Sequence, residues 1–123
     1  MIIDIHHHHV PTGFIDLARR EGEKYQAVVY RDRPTGLEAL AVGMTEPPPD
    51  RPIGRSLFAL DPGMCDIDLH LKEMDEMDLD MAALSVTPLL YYYWAEPQLA
   101  AEVARYVNDS ILQIHKNNLK LND

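Results

Sequence analysis

The chain has 123 residues, 46% hydrophobic and 25% charged, which is the range of one globular domain able to bury a core. Eleven Lys and Arg against 20 Asp and Glu give a formal net charge of −9, and the cations are scattered, so the basic stripe that phosphate backbones require is missing and nucleic acid is excluded as a partner. The acidic excess serves solubility, and a bound divalent cation near Asp4 would offset part of it. A single cysteine, Cys65, leaves no internal disulfide and fits a reducing compartment. No apolar run approaches the roughly 20 residues of a membrane span. The first residues lack the charged and apolar regions of a secretory signal, so no membrane association and a cytoplasmic location are expected.

The opening Met1-Ile2-Ile3-Asp4-Ile5-His6-His7-His8 reads as a β-strand. Residues two apart share a face, so Asp4, His6 and His8 are expected to line up while Ile3 and Ile5 point toward whatever covers the other side. Imidazole is the commonest ligand for zinc and related ions. A catalytic zinc takes three protein ligands and a water, so His6 and His8 are candidate ligands of an incomplete site. By the same alternation His7 and His9 turn away and are read as incidental. The run of four histidines lies within an apolar strand closed by Val10-Pro11-Thr12-Gly13, unlike an appended tag.

Phe14 to Glu23 then predicts a short helix, and Tyr25 to Tyr30 with Leu37 to Met44 a hairpin around Arg31-Asp32-Arg33-Pro34-Thr35-Gly36. Thr45 to Pro52 is too rich in proline to hold a ladder and reads as an extended loop before a third short strand, Ser56 to Leu60. Asp66 is a candidate N-cap for a helix to about Met77, with Ile67, Leu71 and Met74 on its apolar side. Asp78 tolerates the left-handed conformation that would end it. Met81 to Val86 is the apolar run of a buried parallel strand. An aromatic loop, Tyr91 to Trp94, leads to Pro97 in the first turn of a long amphipathic helix carrying Ala100, Val103, Ala104, Val107, Ile111 and Ile114. The order strand, insertion, helix, strand, helix is α/β grammar with a right-handed crossover, ending in a polar tail from Asn117 to Asp123.

Taken together, Ile3-Asp4-Ile5-His6-x-His8, Glu73-Met74-Asp75, Ala83-Leu84-Ser85 and Tyr93-Trp94-Ala95-x-Pro97 resemble, in order, the N-terminal portion of the amidohydrolase-2 family, on its aminocarboxymuconate-semialdehyde decarboxylase-like side. The resemblance implies a metal-dependent (β/α)₈ barrel with a small antiparallel β insertion at about 24–62. His6 and His8 would bind a divalent metal, usually zinc, at the C-terminal end of the first strand. The family completes its site with a histidine and an aspartate from late strands and a further histidine that works on the metal-bound water, none of which has a counterpart here, so no catalytic residue is expected within 1–123. His70 and His115 fall on predicted helices outside the barrel and are read as solvated or satisfied, not as ligands. Trp94 could face the substrate pocket. The decarboxylase has a carboxylate-holding arginine after the phenylalanine matched by Phe58. This chain has Ala59 there, and Arg55 is given no role.

A complete barrel needs about 250 residues, so the chain holds about two of eight strand-helix units and reads as a truncated piece, inactive alone and expected to associate through unpaired edges as a homo-oligomer. Its parent would be a metal-dependent carboxy-lyase, a non-oxidative decarboxylase of a small unsaturated or aromatic carboxylic acid. The alternatives are a metal-dependent hydrolase on the same scaffold, or a catalytically inactive fragment acting through its sheet edge and last helix.

Overall fold

The computed structural model of the chain describes residues 1–48 and 57–118. The second half of the proline-rich loop, Arg55, the Ser56 start of the third strand and the polar tail beyond Asn118 lie outside the described residues.

Among the described residues the strands form two sheets. In the first, β1 (Ile3–His9) runs parallel to β5 (Met81–Val86). The second is antiparallel, in the order β2 (Ala27–Arg31), β3 (Glu38–Val42), β4 (Leu57–Ala59). Among the described residues the helices that accompany them are α1 (Thr12–Tyr25), the single turn α2 (Pro62–Cys65), α3 (Ile67–Glu76) and α4 (Pro97–Asn117). The mixed α/β class and the order of the main elements agree with the sequence reading, to which the structure adds α2; β5 is not the buried strand expected, because Ala83 and Ser85 on one of its faces are exposed.

The register of the parallel pair departs from simple alternation. Ile3 and Asp4 lie opposite Met81 and Ala82, whereas His7, His8 and His9 lie opposite Leu84, Ser85 and Val86. Ile5 and His6 together therefore face one residue of β5, Ala83, which is the two-against-one count of a β-bulge. Because side chains alternate with period two, one extra residue exchanges the faces of everything beyond it. Asp4 consequently shares a face with His7 and His9, not with His8. The expectation that Asp4, His6 and His8 line up is corrected accordingly. The isoleucines are corrected as well: Ile5 is 81% exposed and Ile3 is also exposed, so neither packs under a covering layer.

Local chemistry accounts for most element ends. Asp66 Oδ1 accepts from Asp68 N and Leu69 N at 3.0 and 3.2 Å, capping α3 as its sequence position foretold. Beyond Glu76, Asp78 takes φ 54°, and the carbonyl of Met74 accepts from Leu79 N. In the hairpin turn the Asp32 carboxylate accepts from the backbone N–H and hydroxyl of Thr35, while Gly36 adopts φ 70°, for which it carries no Cβ penalty. Tyr25, expected on a strand, is instead the last residue of α1. Gln26 follows at φ 46°, and its carbonyl accepts from Gly43 N at 2.7 Å, tying the helix end to the end of β3.

The main core lies where α1, α4 and the antiparallel sheet meet around Val10, Phe14, Leu40, Val42, Val103 and Val107. The aromatic run is not wholly a loop. Pro88–Tyr91 forms a 3₁₀ turn, and Tyr92, only 1% exposed, enters the core edge-on to Phe14 with ring centroids 6.2 Å apart. Its hydroxyl donates to the Tyr25 carbonyl at 2.7 Å. Desolvation by this burial pushes the phenol pKa well up, so it stays a donor. The Tyr25 hydroxyl and Lys24 Nζ both donate to Glu102 Oε1, at 2.7 and 2.8 Å, joining α1 to α4.

Replacing Tyr92 with Phe keeps the ring but strands a buried carbonyl. Such a loss costs about 1–3 kcal/mol, so the urea midpoint is expected to fall with little change in its slope. An unchanged midpoint would show that the Tyr25 carbonyl finds water instead.

Candidate metal centre

From the bulge onward, β1 presents its histidines to two different environments. His6 and His8 lie on the outward side, their rings edge to face with centroids 4.7 Å apart. Imidazole nitrogens are the donors a divalent ion such as zinc takes, and the two rings stand side by side on this edge of the strand. Ser85, across the strand from His8, sits with Oγ 3.1 Å from His8 Nδ1 and 3.3 Å from the His7 carbonyl oxygen. The Asp4 carboxylate is turned elsewhere: Oδ1 accepts from the His6 backbone N–H at 3.0 Å, and Oδ2 lies 3.7 Å from His7 Nδ1. Among the described residues, no group of three or more His, Cys, Asp or Glu side chains is placed to hold a metal ion. The two imidazoles are of the donor type a divalent ion takes, and a metal held here would need further donors beyond this pair.

His7 and His9 are not incidental. His7 stacks on His70 of α3, with centroids 3.5 Å apart and planes inclined by 22°. His70 is only 3% exposed, and the Nε2 atoms of both rings are buried without a hydrogen-bond partner. The reading of His70 as solvated or satisfied is therefore corrected, because the bulge turns His7 inward onto α3 and shuts His70 from water. His9 is 4% exposed and lines a cavity of about 300 Å³ with Thr12, Cys65, Ser110 and Asn117. His115, by contrast, is exposed on the last turn of α4.

Burial sets the protonation of this inward group. Desolvation lowers the pKa of His7 and of His70 below 6.5, against the opposing pull of Asp4 and Glu73. His9 is pushed down to about 4, first by desolvation and then by the neighbouring rings of His7 and His70. Desolvation, with the Asp61 charge adding, pushes the Cys65 thiol up to about 11, leaving it a protonated and unreactive filler. Trp94, about half exposed, tilts against Tyr92 with centroids 4.7 Å apart, and its ring lies where a Cβ on Gly43 would come within 3.7 Å. It rests on the end of the antiparallel sheet. Ala59 is exposed at the end of β4 and brings no charge.

The sequence pattern could not assign the inward histidines, since a run of four gives no mark of where alternation is interrupted. Ser85 carried a faint signal as the one polar residue in the apolar strand Met81–Val86.

No family model matches the chain. It is 30% identical over 118 residues, 96% of its length, to a protein of Dictyostelium discoideum named 2-amino-3-carboxymuconate-6-semialdehyde decarboxylase. The resemblance is to decarboxylases. A protein of the same name from Caenorhabditis elegans is 28% identical over 110 residues, 89% of the chain. The chain spans 30% and 25% of the lengths of these two relatives. Among the described residues, no helix is long and apolar enough to cross a membrane.

The buried histidines carry a pH consequence. Unfolded, each titrates near 6.5, and folded, each binds its proton less readily. Between pH 6.5 and about 4 the unfolded chain therefore holds more protons, so this contribution to stability is complete above that window and is lost as pH falls through it. Thermal unfolding across the window should show a falling midpoint, with a shallower fall in His9→Gln. A midpoint that is flat or rises on acidification would contradict the burial of these rings.

Proposed function

We propose that the chain is the N-terminal part of a metal-dependent carboxy-lyase of the amidohydrolase type, acting on a small unsaturated or aromatic carboxylic acid. The observation that carries this reading is the pairing of His6 and His8 rings near the C-terminal end of a parallel strand, in a chain similar over 96% of its length to a named decarboxylase. In a (β/α)₈ barrel that end of the strands is where active sites lie. β1 and β5 are then the first two barrel strands, with α4 the helix after the second, and the antiparallel sheet an insertion between them.

In this reading His6 and His8 hold a divalent ion, with zinc the leading candidate from the imidazole donors. When bound, such an ion lowers the pKa of water and stabilises negative charge developing on a substrate. The remaining ligands and the proton-handling groups come from outside residues 1–123. Within the chain, His6 and His8 fix the ion's place on the sheet, and the bulge keeps Asp4 from joining them. The stack of His7 on His70 holds β1 to α3, so the strand that carries the ligands is braced from behind. Trp94 is proposed as a wall of the substrate pocket, braced on Tyr92.

A second reading is favoured by Ala59. The position offers no guanidinium to grip a substrate carboxylate, as the decarboxylase-like pattern requires, so a hydrolase using the same ion and water is the alternative chemistry.

The 123-residue chain should bind zinc weakly and reversibly, and His6→Ala or His8→Ala should each abolish that binding, whereas His115→Ala should leave it intact, as read by calorimetry. The endogenous protein, captured and measured for intact mass, should exceed 14.0 kDa by at least about twofold if it is a barrel enzyme. It should also retain about one metal ion through dialysis and release carbon dioxide from 2-amino-3-carboxymuconate-6-semialdehyde. Zinc binding indifferent to His6 and His8 would remove the metal assignment. Retained metal with ester or lactone hydrolysis and no carbon dioxide would favour the hydrolase.

A further inference from the structure

We propose that Ser85 is a positioning residue that sets the tautomer of His8, so that the imidazole presents a bare Nε2 for metal binding. The proposal rests on the reading of His6 and His8 as ligands and adds what prepares one of them.

Ser85 lies directly across the parallel pair from His8. Its Oγ has two neighbours, the His7 carbonyl oxygen at 3.3 Å and His8 Nδ1 at 3.1 Å. A hydroxyl has one proton to give and two lone pairs to receive with. The carbonyl can only accept. If the Ser85 proton goes to the His7 carbonyl, the oxygen is left as an acceptor toward Nδ1, and His8 must carry its proton there. The result is a directed chain, from His8 Nδ1–H to Ser85 Oγ–H to the His7 carbonyl, in which both contacts are hydrogen bonds. If instead the hydroxyl donates to Nδ1, the contact with the carbonyl yields nothing, and the His8 proton moves to Nε2.

The first arrangement makes one more hydrogen bond than the second. One bond more shifts the balance toward it by about two- to tenfold relative to an imidazole without the hydroxyl. An isolated neutral imidazole prefers its proton on Nε2, so the hydroxyl works against the intrinsic tendency. The nitrogen freed is the one remote from the backbone, able to reach an ion held also by His6. Fixing a ligand's tautomer through its other ring nitrogen is a general device of metal sites, usually performed by a carboxylate or a carbonyl. Here the bulge has turned the nearest carboxylate, Asp4, toward His7, and the hydroxyl on the neighbouring strand occupies that position. His6 serves as a built-in reference: among the described residues no hydrogen bond to its ring is found, and its backbone N–H alone engages Asp4.

The test uses the metal-free chain labelled with ¹⁵N at the histidine rings, observed by long-range proton–nitrogen correlation at a pH well above the imidazole range. His8 is expected to carry its proton at Nδ1 in a larger share than His6 does, by about two- to tenfold in tautomer ratio. Ser85→Ala should move His8 largely to the Nε2–H form while His6 is unchanged, and Ser85→Thr should retain the wild-type pattern. Zinc affinity of Ser85→Ala, measured separately, should fall about two- to tenfold. Ser85 is exposed, so the variants should keep the wild-type far-ultraviolet circular dichroism. A His8 tautomer ratio equal to that of His6 in the wild type, or one indifferent to Ser85→Ala, would overturn the proposal. A chain with the expected tautomer that binds no zinc would instead refute the metal reading and leave the Ser85 hydrogen-bond assignment standing.

Discussion

One residue of excess in β1 governs the arrangement of the proposed site. Without it, alternation would place Asp4, His6 and His8 together on one side. With it, the strand divides its polar residues between two environments. His6 and His8 face outward with Ser85, and Asp4, His7 and His9 face α3 and the interior. Bulges re-aim side chains while leaving the rest of a strand paired, and here the pairing resumes at His7 opposite Leu84.

That division also separates two kinds of imidazole chemistry. The outward pair stays within reach of water, as ligands that must exchange with solvent or substrate require. The inward histidines are desolvated, held neutral and stacked, with two Nε2 atoms left without partners. Orphaned buried polar atoms are costly. Their cost is borne at the junction of β1 and α3, next to the proposed ligands, and strain or unsatisfied polarity of this kind gathers at functional sites more than elsewhere.

The remainder of the fold supports that strand from further away. Tyr92, reached through a 3₁₀ turn at the end of β5, inserts between α1 and the antiparallel sheet and bonds to the Tyr25 carbonyl. The continuation of the second parallel strand is thereby anchored in the same core as the helix that follows the first. Glu102 adds a second tie from α4 to the end of α1. Trp94, resting on Tyr92 and near Gly43, links the aromatic segment to the end of β3.

The sequence by itself determined the main elements and their order, because these follow from local physics: the Asp66 cap, the left-handed stop at Asp78, Pro97 in the first turn of α4, and the apolar run Met81–Val86, which forms β5 but is not the buried strand expected, since Ala83 and Ser85 are exposed. It also determined that His6 and His8 stand together, through spacing and through likeness to a known motif. Tyr25 was misplaced by its strand propensity, which packing against α4 overrode. The tertiary structure alone decided where alternation breaks in β1, and with it the fates of Asp4, His7, His9 and His70 and the alignment of Ser85 with His8. A bulge is a property of two strands in register. Its position depends on what residues some eighty places apart do to each other, and four consecutive histidines carry no local mark of it.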